Sequence, residues 1–164
     1  MDRVSIVPVA DRHSAREFLS YPYRLYKGHP YWVPPLVVAQ RELFDARRHP
    51  FYRHGRIERF LAIRSSRVVG RIAAILDPRY SEFHGERAGF FGFFDAADDE
   101  AVVSALTGAA CEWLRRMGAE VIRGPVNPTT NYDCGVLVDG FDSSPRIMMT
   151  YNHPYYGPLL EQAG

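Results

Sequence analysis

An α/β fold built on a mixed, mostly antiparallel sheet flanked by helices is predicted by three observations. Residues 59–64 and 68–76 are two β-rich runs joined by the short polar turn Ser65-Ser66-Arg67, which makes an antiparallel hairpin. The run Gly89-Phe-Phe-Gly-Phe-Phe94 is apolar on both faces and belongs in the middle of a sheet. Between it and the short strand at residues 121–124 lies a helix-period stretch. The resulting strand, helix, strand unit is most simply a parallel crossover.

Taken in order, residues 4–9 alternate and read as a first strand, after which Asp11 and Ser14 can cap a helix over residues 16–26. Pro22 is expected to kink or split that helix. Residues 29–35 hold three prolines and should form an ordered loop with Tyr31 and Trp32 as anchors. A second helix is expected over residues 36–46, stopped by His49-Pro50. From residue 98 to 117, Val103, Leu106, Ala110, Trp113, Leu114 and Met117 recur at three and four residues. Acids stand in the first turn of that stretch, arginines in its last, and Gly118 follows it. The turn-rich stretch 125–145 contains an expected strand at residues 135–138. A further strand is expected at 146–151, before a final amphipathic helix that ends at Gly164.

A chain of 164 residues with 46% hydrophobic residues suits a single domain with a real core. Cys111 and Cys134 are too few for a disulfide framework, and neither has a metal-ligand or redox spacing. A reducing cytoplasm is the expectation. No run approaches the roughly 20 apolar residues of a membrane span. A net charge of +1 disfavours nucleic acid as a global partner. The charge is uneven, however: residues 47–71 carry eight arginines and one acid, Glu58. Compensating acids gather at Asp95, Asp98, Asp99 and Glu100, where their ordinary role is to start a helix. No histidine pair has metal-binding spacing, and no metal is expected.

Several segments carry a resemblance: Tyr26-Lys-Gly-His-Pro-Tyr-Trp-Val-Pro-Pro-Leu36, Val69-Gly-Arg-Ile-Ala-Ala74, Gly89-Phe-Phe-Gly-Phe-Phe94, Gly124-Pro-Val-Asn127 and residues 155–164. With the element order, they resemble the GCN5-related N-acetyltransferase (GNAT) superfamily, and within it a bacterial group of acetyltransferase-like proteins about twice this length. The resemblance implies closing strands and a second half beyond Gly164. The chain is therefore expected to be a GNAT-like domain cut at its carboxy-terminal end.

The resemblance further implies acetyl-CoA or another acyl-CoA as co-substrate and a small-molecule or peptide amine as acceptor. The cofactor's arm would pair with the backbone of Phe91, Gly92, Phe93 and Phe94, and its pyrophosphate would meet the next helix's amino end. The turn there carries acids in place of the family's spaced glycines. Transfer to an amine needs one group to take a proton from nitrogen and another to return one to the leaving thiolate. The family often uses a tyrosine four residues before the last helix's glycine. Leu160 stands at that position here, and Tyr155 and Tyr156 lie about one turn earlier. An asparagine often marks the cofactor's side of the cleft. Asn127 fits by its place after the crossover strand, Asn152 by its distance from Gly164.

Two functions follow. One is an acyltransferase domain with the arginine-rich stretch offering salt links to cofactor phosphates. The other is a non-catalytic domain of the same fold that binds an acidic partner or nucleic acid through residues 47–71. They differ in whether a cleft opens beside Phe91 to Phe94. The acceptor, acyl length and oligomeric state stay open.

Overall fold

The computed structural model describes residues 3–128 and 131–164. Among them, five strands form one sheet in chain order: β1 (Ser5–Pro8), β2 (Arg56–Arg64), β3 (Arg67–Leu76), β4 (Ala88–Ala96) and β5 (Val121–Arg123). The first four pair antiparallel; β4 and β5 pair parallel, Ala88 with Val121 through Phe90 with Arg123. The β2–β3 hairpin turns on Ser65 and Ser66, both at positive φ, a two-residue turn whose twist matches its strands. The expected crossover is present, carried by α4 (Glu100–Arg116).

The sheet is covered on both faces. Helices α4 and α5 (Tyr156–Ala163) bury Ile72, Phe94, Val102, Leu106, Leu114 and Tyr156 on one side. On the other, α1 (Arg12–Leu25) and α2 (Val37–Leu43) cover Phe18, Leu61, Ile75, Phe90 and Phe93. Each large side chain so buried contributes about 1.5–3 kcal/mol. Strand β4 supplies both faces, as its unbroken apolar run predicts, and changes phase midway. Ala88 and Phe90 face α1, yet so does Phe93, while Phe94 and Ala96 face α4. The cause is a bulge. Arg71 pairs with Asp95 but Ala73 with Gly92, so β4 has one residue more than β3, with Phe93 at φ +46°.

Several expectations are corrected. Helix α1 starts at Arg12, because Asp11 accepts from Ser14 N and Ser14 closes a capping box. Pro22 does not split it. The carbonyl that loses its helical donor four residues back, that of Phe18, accepts from Arg71 Nη1 at 2.9 Å instead. Trp32 anchors its loop by stacking on Tyr26 at 5.0 Å, but Tyr31 is exposed. Helix α2 covers only Val37–Leu43, and Pro50–Arg53 forms a 3-10 turn.

Helix α3 (Pro78–His84) was not foreseen, although Asp77 caps it, Pro78 opens it and left-handed Gly85 closes it. The strands expected at 135–138 and 146–151 are absent among the described residues. An isolated bridge, Val126 with Cys134, stops just short of the first. In the second, Met148 is left-handed and Ile147 is 94% exposed. A strand needs a neighbouring backbone, and neither segment lies along a sheet edge.

Candidate functional site

The bulge in β4 and the shortness of β5 make the site. Ladder pairing ends at Phe90 with Arg123, and the chain after β5 crosses the strand differently. Val126 N donates to Phe91 O at 2.7 Å, and Asn127 Oδ1 accepts from Phe93 N at 2.8 Å. Gly92 lies directly beneath: a Cβ there would sit 2.4 Å from Val126 O and 2.7 Å from Asn127 Oδ1. Beyond Phe93 the two segments part.

The opening is a cleft of about 160 Å³, lined by Phe93, Phe94 and Asp95 of β4, Arg71 of β3, Asn127, Asp133, Asn152, Tyr156 and the Trp32 loop. That volume is near the roughly 150 Å³ of a cavity that holds one benzene ring. It suits the reacting end of a ligand.

Its floor is charged and buried. Arg71 and Asp95 are 5% and 8% exposed, with Nε and Nη2 at 2.8 and 2.7 Å from Asp95 Oδ2. Neighbouring Oδ1 accepts from the Tyr156 hydroxyl at 3.3 Å, and that hydroxyl accepts from Ala96 N and from Tyr26. Burial, then the Asp95 charge, pushes the Tyr156 phenol well above the usual tyrosine range. Tyr155 is raised too, by burial first, and donates to Ala96 O at 2.8 Å. The two tyrosines thus close the splayed end of β4 with side-chain oxygens where a strand would otherwise pair.

The structure brings Phe93, Phe94, Asn127, Asn152 and Tyr156 to one cleft. Phe91, Gly92 and Tyr155 lie behind its wall. Asn152 is 4% exposed and spent: Oδ1 accepts from Leu137 N, while Nδ2 donates to the carbonyls of Leu137 and His153. Asn127 lines the cleft, and of its side chain only the oxygen is engaged in a hydrogen bond among the described residues. Three lining residues were missed from sequence. Arg71 stood within a charge run, Asp95 among four acids, and Asp133 in a turn. Burial raises the Asp133 carboxyl above its ordinary value.

At the amino end of α4, Asp99 accepts from Val102 N and is held by Arg64 at 2.6 Å, which keeps its carboxyl below the usual range. The anion position of this helix is filled by the chain itself. The arginine-rich stretch is likewise dispersed. Arg64 and Arg71 pair with acids, Arg48 with Asp45, and Arg59 lies over the rings of Phe18 and Phe44. Among the described residues no group of three or more histidine, cysteine or acidic side chains is placed to hold a metal. None of their helices is long and apolar enough to cross a membrane.

This architecture, a bulged fourth strand parting from a short fifth over a cleft, is the GNAT-type acetyltransferase fold. An aminoglycoside acetyltransferase from an uncultured soil metagenomic sample, solved with sisomicin, superposes with a TM-score of 0.52 at 13% identity, over 75% of this chain and 77% of that one. No protein-family model matches the chain.

Two bacterial proteins are similar to it in sequence. Protein YghO of Escherichia coli (strain K12) is 36% identical over 154 residues, 94% of this chain and 39% of that protein. The protein named bacterial ceramide synthase of Caulobacter vibrioides (strain NA1000 / CB15N) is 37% identical over 164 residues, 98% of this chain and 42% of that protein. The chain thus spans about two fifths of the length of the curated relatives it matches.

Proposed function

We propose that the protein takes part in N-acyl transfer, moving an acyl group from a thioester, acyl-CoA in the first instance, to an amine in the cleft. The observation that carries this reading is the parting of β4 and β5 beyond Phe93, beside a buried Arg71–Asp95–Tyr156 cluster. The relative named a ceramide synthase supports an amine acceptor with a long alkyl chain and a fatty acyl donor.

In this reading the acyl carbonyl lies beside Asn127, whose Nδ2 donates to the oxygen as negative charge develops there. The Asp133 carboxylate takes the proton lost by the amine. Asp133 is placed for this role by lining the cleft beside Asn127. Nitrogen attacks the carbonyl carbon, the C–N bond forms, the C–S bond breaks, and the proton taken up by Asp133 passes through water to the departing thiolate, which leaves as the thiol and restores the carboxylate. Tyr155, Tyr156 and Asn152 are positioning residues, holding the end of β4 and the 137–152 wall. Phe93 and Phe94 flank the thioester. Phe91 O and Phe93 N already have partners in Val126 N and Asn127 Oδ1, so with Asn127 in this place the arm does not pair along Phe91 and Gly92.

The nucleotide of CoA does not fit at α4 in the usual way, because Asp99 and Arg64 occupy that place. The test is thiol release from acetyl-, octanoyl- and palmitoyl-CoA with a long-chain amine, for the parent and for Asn127→Ala and Asp133→Asn. A fall of about 10²–10³ in kcat is expected for Asn127→Ala, the scale of one lost oxyanion donor. Parent activity unchanged in both variants overturns the assignment of roles, and no thiol release from any donor overturns the reading.

The non-catalytic alternative is the weaker reading. Of the eight arginines it draws on, Arg48, Arg59, Arg64 and Arg71 are engaged within the fold, which breaks up the basic stretch.

A further inference from the structure

A second concavity lies on the far side of Gln40 from the cleft, between α1 and α2. Its volume is about 590 Å³, within the 300–1,000 Å³ of ligand pockets. One wall is a helical stripe on α1, in which Arg12, Ala15, Arg16, Leu19, Ser20 and Tyr23 recur at three and four residues. This face is distinct from the one that buries Phe18, Tyr21 and Pro22 against the sheet. The other wall is Val37, Gln40 and Arg41 of α2, again at three and four. Tyr23 holds the walls in register, since its hydroxyl donates to Pro35 O just ahead of α2.

The chemistry of the groove is sharply divided. Its floor is the methyl, alkyl and ring surface of Ala15, Leu19, Tyr23 and Val37. Its rim carries three exposed guanidiniums, Arg12, Arg16 and Arg41, and its lining includes no acid. None of the three makes an ion pair among the described residues, whereas Arg24 on the same helix pairs with Glu17. Leu36 and Val38, chain neighbours of Val37, are 77% and 66% exposed. An alkyl chain would remove the apolar floor from water, and an anionic end group would meet the guanidiniums in forked hydrogen bonds. A neutral or cationic amphiphile would leave three like charges uncompensated.

We infer that the α1–α2 groove binds a single-chain anionic amphiphile, with its alkyl chain on Leu19, Tyr23 and Val37 and its carboxylate or phosphate head at Arg12, Arg16 and Arg41. The inference does not rest on transfer chemistry in the cleft.

The test is calorimetric titration of the protein with monomeric dodecanoate and with dodecyl phosphate, beside dodecyltrimethylammonium, acetate, inorganic phosphate and phosphatidylglycerol vesicles. Saturation at one dodecanoate or one dodecyl phosphate per chain is expected, and which of the two binds tighter identifies the head group. A negative heat-capacity change should accompany it. Each of Arg12→Gln, Arg16→Gln and Arg41→Gln should weaken binding about 5-fold, the scale of one cation facing an anionic head group. Leu19→Glu should abolish it. The arginine variants are exposed substitutions that leave the fold intact, so they decide the matter even where Leu19→Glu does not fold.

Thiol release from acetyl-CoA should be unchanged in the arginine variants, which separates failure of the groove from failure of the cleft. The proposal is overturned by no binding of either anionic amphiphile, by equal binding of the cationic one, by arginine variants that bind like the parent, or by a response to vesicles alone.

Discussion

Asp95→Ala should be the most destabilising polar substitution in the protein. The change removes the acid that pairs with the Arg71 guanidinium, which is 5% exposed and engaged at both ends, by Asp95 Oδ2 and by Phe18 O. Leaving a charge so placed without its partner costs about 3–5 kcal/mol. At about 2–4 °C per kcal/mol for a chain of this length, the loss in Tm is roughly 6–20 °C. Arg71→Met should cost a comparable amount, because it strands both the carboxylate and the Phe18 carbonyl that Pro22 cannot serve. Urea denaturation of the parent, both single variants and the Arg71→Met/Asp95→Ala double variant closes the cycle. The double variant should be less destabilised than the sum of the singles by about 2–3 kcal/mol, since it removes both charges together. Additivity within about 0.5 kcal/mol, or a cost of under about 1 kcal/mol for Asp95→Ala, would refute the claim that the pair is one buried unit.

Three further outcomes are expected. Burial, then the neighbouring His29, lowers the pKa of His153, which stacks on Tyr26 at 4.5 Å. The folded state therefore binds its proton less readily than the unfolded state. Stability should be level above neutrality and fall as pH drops below the ordinary histidine value of about 6.5. His153→Phe should flatten that fall in urea midpoints measured from pH 7.5 to 5. Asp99→Ala removes the α4 cap and the partner of Arg64, and should cost about 1–2 kcal/mol, a Tm drop of about 2–8 °C. Asp99→Asn, which still caps, should recover part of it. Gly92→Ala puts a methyl group against Val126 O and Asn127 Oδ1. An overpacking cost of about 1–3 kcal/mol is expected by thermal denaturation, and a fully stable variant would show that residues 124–127 do not lie against β4.

Much of the framework was legible because it rests on short-range patterns. The 65–66 turn, the capped and periodic α4 and the two-faced β4 each announce themselves within a dozen residues, and all three are present. Helix α3 was legible too, in Asp77, Pro78 and Gly85, though at about two turns it carries too little periodicity to stand out. The failures at 135–138 and 146–151 have one cause. β-branched and apolar residues mark segments able to extend, but pairing depends on a backbone arriving from elsewhere.

The cleft divides in the same way. Asn127, Tyr156, Phe93 and Phe94 were nameable because position after a recognised strand or before the last helix placed them. Arg71, Asp95 and Asp133 were not, since each sat within a group of like or ordinary residues with nothing local to single it out. Folding selected among them. Register across β3 and β4 set Arg71 opposite Asp95, a missing helical donor at Pro22 gave Arg71 its second acceptor, and the bulge at Phe93 turned Asp95 toward them.

Local chemistry along the chain thus decides where strands, turns and capped helices form, because hydrogen bonds and side-chain periods act over a few residues. Which charges are buried together, and where the sheet opens, belong to contacts between residues 20 to 130 positions apart, and only the assembled fold brings these into range.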